Sequence, residues 1–187
     1  MIKNFLAYVF ELVKVVAISL AIIIPIRYYL IQPFYVKGAS MEPNFYDKEY
    51  LIIDEISYRF HEPARGDIVV FRYPKNPEEF FIKRVIGLPG EKVQLKDGSV
   101  YIINQNYPNG VQLTEDYLPG DLRTYGLSEE PTPLGEDEYY VLGDNRNSSK
   151  DSRSFGLVAK KYITGRVLLR GWPFSRFNLF SAPQYSY

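Results

Sequence analysis

The spacing of hydrophobic and polar positions changes once along the chain, near Pro33. Before that point, residues 12 to 31 read LVKVVAISLAIIIPIRYYLI, an apolar run without alternation. The strictly uncharged part, between Lys14 and Arg27, is twelve residues, short of the ~20 apolar residues that a bilayer-spanning helix needs. Both flanking charges sit on long side chains whose stems stay in hydrocarbon while the heads reach the headgroups. Counted from Leu12 to Ile31, the run is twenty residues, about 30 Å of helix at about 1.5 Å per residue. Tyr28 and Tyr29 then fall where an aromatic belt is expected, and Pro25 is placed to kink the helix near its outer end. A cleaved secretory signal and a buried or surface helix are the competing readings. A signal needs small residues before its cut; Gly38-Ala39-Ser40 would supply them, but inside the strongest motif of the chain. A single membrane-spanning anchor over 1–33 is therefore expected. Lys3 and Lys14 before the apolar run favour a cytoplasmic N-terminus, with the rest on the extracytoplasmic side of the cell membrane.

After Pro33 short β-branched and aromatic runs follow, at Tyr50–Asp54, Asp67–Arg72, Phe80–Ile86, Lys92–Gln94, Ser99–Ile103, Glu138–Leu142 and Arg166–Arg170. Gly, Pro, Asn or Asp bounds each one, the signature of short antiparallel strands. A mainly β protein is expected: one transmembrane helix, then an all-β catalytic domain of antiparallel sheets with a core at 34–103 and 138–180. Residues 104–137 hold four prolines and many acidic side chains without periodicity, which reads as an inserted loop or small β subdomain. Residues 181–187 read as a loose tail. Trp172-Pro173-Phe174 and the aromatics of Phe177–Phe180 are read as core rather than as a surface that touches the bilayer.

Composition narrows the chemistry. The 22 basic residues match 22 acidic ones, against a nucleic-acid binder, which needs a clustered positive footprint. Cysteine is absent, which removes thiol catalysis, disulfides and thiolate metal sites. One histidine, His61, cannot build a multi-histidine zinc site, and its polar, proline-bounded setting reads as a solvated loop. No metal and no cofactor are expected.

Four patches look denser in chemistry than structure alone requires. Ser40 lies in Gly38-Ala39-Ser40-Met41-Glu42-Pro43; taken alone it is an ordinary loop serine. Arg65-Gly66-Asp67 turns into an apolar strand. In Phe81-Ile82-Lys83-Arg84-Val85-Ile86, alternation puts Phe81, Lys83 and Val85 on one face and Ile82, Arg84 and Ile86 on the other. One of the two cations thus points with apolar neighbours. A buried lysine favours its neutral form and is a competent base; two exposed edge-strand cations are the equal alternative. The fourth patch, Gly143 to Gly156, is crowded with charge and hydroxyl. Arg146 and Lys150 break a calcium-loop pattern, and an internal Asp–Arg network fits better.

In this order the four patches resemble the conserved boxes of the bacterial type I signal peptidases, membrane-anchored Ser-Lys enzymes that remove signal peptides from exported preproteins. The matching residues are Ser40-Met41 with Pro43, Arg65-Gly66-Asp67, Lys83-Arg84-Val85 with Gly87, Pro89 and Gly90, and Gly143-Asp144-Asn145 with Ser149, Asp151, Ser152 and Arg153. The resemblance implies Ser40 as nucleophile and Lys83 as base. It implies that Ser149 orients the lysine amine, that Asp151 and Arg153 form a supporting salt bridge, and that Asp144 and Arg146 brace the same loop. Val36, Met41, Phe81 and Ile82 are implied near the shallow apolar substrate pockets. The Ser40 N–H would be one oxyanion donor and a backbone group near Gly38 the other, since some members carry a serine where this chain has Gly38. Asn44-Phe45 replaces the usual Thr-Leu and stands to alter pocket shape. The implied partners are preproteins and the lipid bilayer. Two other functions stay open: a Ser-Lys processing protease with one substrate class, and a membrane-tethered β domain that only binds.

Overall fold

The computed structural model describes residues 2–29, 31–183 and 185; of residues 2–4, 6, 7, 25–29, 31 and 32 it describes the backbone alone. The elements in chain order are α1 (Ile2–Tyr29), β1 (Ile31–Tyr35), β2 (Tyr50–Asp54), α2 (Ser57–Phe60), β3 (Ile68–Tyr73), β4 (Asn76–Gly87), β5 (Lys92–Lys96), β6 (Ser99–Ile103), β7 (Val111–Gln112), β8 (Thr132–Pro133), β9 (Glu138–Leu142), α3 (Ser152–Phe155), β10 (Val158–Ala159), β11 (Ile163–Trp172) and β12 (Asn178–Leu179).

Helix α1 ends at Tyr29, so the apolar run does not stay helical to Ile31; that residue already opens an edge strand paired with β2, Ile31 opposite Asp54. The aromatic belt at Tyr28 and Tyr29 and the kink at Pro25 fall outside the described side chains. Among the described residues no helix is long and apolar enough to cross a membrane.

The strands form two antiparallel sheets. The larger runs β1-β2-β11-β3-β4-β9-β10, with β12 added beside β11. The smaller runs β7-β6-β5-β8 and takes in residues 92–103 together with the excursion beyond them. Alternation explains the strands with one covered face: Leu51 and Ile53 of β2, and Val93 and Leu95 of β5, face inward while their neighbours face out. Strand β3 lies mid-sheet and is buried nearly throughout, which fits its continuous apolar run. One apolar cluster gathers Val69, Phe71, Val85, Tyr139 and Phe155; a second gathers Val36, Met41, Phe45, Leu51, Ile53 and Val70. A third, around Ile86, Ile102 and Leu142, joins the two sheets.

One open alternative is decided and one expectation is corrected. Lys83 and Arg84 are not exposed edge cations: they are 3% and 4% exposed, because β4 pairs with β3 on one side and β9 on the other. The C-terminal aromatics are not core as a group. Trp172, Phe174 and Phe177 are more than half exposed, and Phe180 alone packs inward, 4.7 Å from the Phe45 ring between centroids. Trp172 ends β11 opposite Tyr50 of β2, and Phe174 and Phe177 follow in the turn that leads to the short β12. Of the tail, residues 184, 186 and 187 lie outside those described; Pro183 and Tyr185 are half-buried against Gly66.

Candidate active site

Ser40 sits in the connection between β1 and β2. The base of that connection is closed by backbone bonds from Val36 N–H to the Glu49 carbonyl and from Lys48 N–H to the Val36 carbonyl, 2.9 and 3.0 Å. Met41 and Phe45 anchor it in the core at 1% and 0% exposure, and Phe45 N–H donates to the Met41 carbonyl. Gly38 turns the chain at a φ of 84°, in the left-handed region open to glycine. Its N–H donates to Asp47 Oδ1 at 2.8 Å. The Ser40 N–H has no hydrogen-bond partner among the described residues.

Lys83 enters from β4. Its Nζ stands 2.8 Å from Ser40 Oγ, and it donates to the Ile82 carbonyl at 2.7 Å. The two lie 43 positions apart in sequence and are brought together by the sheet. Burial pushes the Lys83 amine down to about 8, although the negative charges of Asp151 and Asp144 pull the other way. The amine also lies 5.4 Å from the centre of the Phe81 ring.

The loop after β9 holds the two residues together. Gly143 is required by close approach: a Cβ there would meet Ser149 Oγ at 2.1 Å and the Ser40 carbonyl oxygen at 2.4 Å. Gly143 N–H donates to Asp151 Oδ2, and Arg153 grips both oxygens of Asp151 at 2.8 Å. Burial of Asp151 would push its carboxyl up, but the bonds from Arg153 outweigh that and leave it low. Asp144 is fully buried and pairs with Arg84, Nε to Oδ1 at 2.9 Å and Nη2 to Oδ2 at 2.6 Å. Asn44 Nδ2 donates to the same Oδ2 at 2.9 Å, which ties the serine loop to this pair. Arg146 donates to the Gly143 carbonyl and grips Glu115 and Thr124. Buried charges need such partners, because breaking a buried pair leaves an uncompensated charge at a cost of about 3–5 kcal/mol.

A cleft of about 680 Å³ opens beside Ser40 and Lys83, with Val36, Leu51, Val70, Phe81 and Ile82 in its wall. Of the four side chains expected there, Met41 is missing from the wall because it lies in the core beneath. Phe45 also lies in the core and Asn44 points to Asp144, so neither shapes the cleft directly. Ser149 Oγ is enclosed against Gly143 and close enough to Asp151 to help keep that carboxyl low, yet among the described residues it makes no hydrogen bond of standard geometry, to Lys83 or to any other group. His61 is exposed beyond α2, with Nδ1 3.3 Å from the Ser57 carbonyl. Sequence reasoning missed Arg84, Glu115 and Asn145 as partners. The polar side chains were visible, but which of them meet depends on strand register for Arg84 and on loop packing for Glu115 and Asn145.

Residues 9–172 match the family model described as "Signal peptidase, peptidase S26". The chain belongs to this signal peptidase family. Membership makes it a peptidase of signal peptides. Similar proteins include a "Probable signal peptidase I-2" of Synechocystis sp., 39% identical over 91% of this chain and 77% of that one. A "Signal peptidase I" of Leptolyngbya laminosa is 40% identical over 92% and 84%. A "Signal peptidase IB" of Staphylococcus aureus is 34% identical over 90% and 92%.

Proposed function

We propose that this chain is a membrane-bound serine endopeptidase that cleaves N-terminal signal peptides from exported preproteins, with Ser40 as nucleophile and Lys83 as general base. The observation that carries the assignment of roles is the 2.8 Å approach of a buried amine, shifted down to about 8, to Ser40 Oγ. A serine hydroxyl is a weak nucleophile until a base takes its proton. Lysine starts at ~10.4, so it serves only when desolvated, and the position of β4 between β3 and β9 supplies the desolvation.

Neutral Lys83 takes the Ser40 proton as Oγ bonds to the scissile carbonyl carbon, whose oxygen becomes the oxyanion. The Ser40 N–H, without a partner in the free site, is the first donor to that charge; a donor of this kind is worth ~3 kcal/mol. Gly38 N–H would have to exchange Asp47 for the oxyanion to serve as the second. The C–N bond then breaks, the Lys83 proton passes to the leaving amine, and the acyl group stays on Oγ. Lys83, neutral again, takes a proton from water as it attacks the ester, then returns that proton to Oγ. Asp144, Arg146, Asp151 and Arg153 support the loop that Ser40 leans on, and Ser149 borders the same contact. Val36, Phe81 and Ile82 receive the apolar side chains of the substrate before the cut. No step uses a metal or a cofactor.

Helix α1 is proposed as the anchor. Its described side chains from Tyr8 to Ile24 are all exposed, and nearly all are apolar. A helix that is apolar all round and covered by nothing finds its partner in a bilayer. The charges at Lys3 and Lys14 support a start on the cytoplasmic side, with the sheets outside.

The test is incubation of a detergent-solubilised preprotein with the full-length chain and its Ser40→Ala variant. The wild type is expected to release the mature protein and the variant to leave the precursor intact. Equal cleavage by both would remove the assignment.

A further inference from the structure

Asn145 has the most direct hold on the backbone of Ser40. Its own N–H donates to the Ser40 carbonyl at 3.1 Å, and its side-chain Nδ2 donates to the Ala39 carbonyl at 3.0 Å. These carbonyls belong to the two peptide units that flank the Ser40 Cα, and neither unit is cis. In a planar trans peptide the C=O and the N–H point in opposite directions. A grip on the Ala39 carbonyl therefore sets where the Ser40 N–H points, because both lie in one rigid plane. That N–H has no partner among the described residues. A hydrogen bond accepted at the carbonyl also polarises the unit and strengthens its N–H as a donor. The Ala39 carbonyl takes a second bond from Glu42 N–H at 3.2 Å, so Asn145 supplies one of two holds.

We propose that Asn145 is a positioning residue that aims the Ser40 N–H at the oxyanion. The inference rests on the reading of Ser40 as nucleophile and adds a residue that touches neither substrate nor base. Asn145 makes no hydrogen bond to Lys83 and does not line the cleft. Its side chain acts on charge that develops only in the transition state, so its loss falls on kcat and leaves KM and the pH midpoint in place.

The experiment compares full-length wild type, Asn145→Ala and Asn145→Asp in detergent, with a purified preprotein as substrate. kcat, KM, the pH dependence of kcat/KM and the melting temperature are all measured. The aspartate variant keeps the shape and the backbone bond but sets oxygen against the Ala39 oxygen. Both variants are expected to lose about tenfold or more in kcat, up to the roughly 10²–10³ that loss of an oxyanion donor itself costs. KM should stay within about twofold in both variants, and the pH midpoint of the uncharged alanine variant should not move. The proposal is overturned by variants with wild-type kcat. It is equally overturned by losses that appear in KM, in a displaced pH midpoint of the alanine variant, or in step with a lowered melting temperature. A wild type that fails to cleave at all is a different result, because it removes the functional reading itself.

Discussion

At the scale of single residues, Lys83 meets two opposed demands. It must be buried enough to lose its proton, yet two buried carboxylates nearby favour the charged form. Desolvation wins because each carboxylate is already committed to an arginine, Asp144 to Arg84 and Asp151 to Arg153. Their negative charge is largely neutralised before it reaches the amine. Lys83→Arg is therefore expected to abolish cleavage, by a factor of at least about a thousand, since a guanidinium does not deprotonate in the working range. Single-turnover assays check this, and an active variant would remove lysine as the base. His61→Ala, which alters an exposed side chain away from the cleft, should leave the rate within about twofold under the same assay.

At the scale of elements, the alternation of short apolar runs made β2, β3, β5, β6 and β9 legible. The two-residue strands β7, β8, β10 and β12 were not, because two residues carry no period and form only where a longer neighbour offers its edge. Strand β1 was hidden by its continuity with the apolar helix and by Pro33 within it. The dense boxes drew attention to Lys83 and to the loop after β9, but not to what each residue would touch. Arg84 finds Asp144 only because β4 and β9 pair with Arg84 opposite Leu142, two residues before that carboxylate. Such a register is set by packing across the whole sheet rather than by local sequence.

Gly143 is the point at which these elements meet. Gly143→Ala would drive a methyl group into the Ser40 carbonyl and Ser149 Oγ, and the Ser40 side is backbone that cannot yield without moving the nucleophile. A loss of about a hundredfold in kcat or more is expected, because displacement of a reacting group by about 1 Å costs that much. A variant with full activity and unchanged melting would show that the loop has slack that the close contacts deny.

At the scale of the whole molecule, a paired sheet system is joined to a helix whose described apolar side chains, from Tyr8 to Ile24, are exposed. The exposed Trp172, Phe174 and Phe177 lie on that sheet system rather than on the helix. If α1 is the anchor, the full-length chain stays with membranes after alkaline carbonate extraction, whereas a chain lacking residues 1–29 is released. Recovery of both forms in the soluble fraction would contradict the anchor. Peptide cleavage by the shortened form is expected to persist, because Ser40, Lys83 and their supports all lie beyond the helix.

The central claim is that a neutral Lys83 takes the proton of Ser40, and the pH dependence of kcat/KM measures it most directly. The working form is the deprotonated amine, so activity must rise with pH. With the amine shifted down to about 8, kcat/KM should climb about tenfold per pH unit below that value and level off above it. A profile flat from about pH 6 to 10, or one whose rise is centred near the ordinary lysine value of about 10.4, would contradict it.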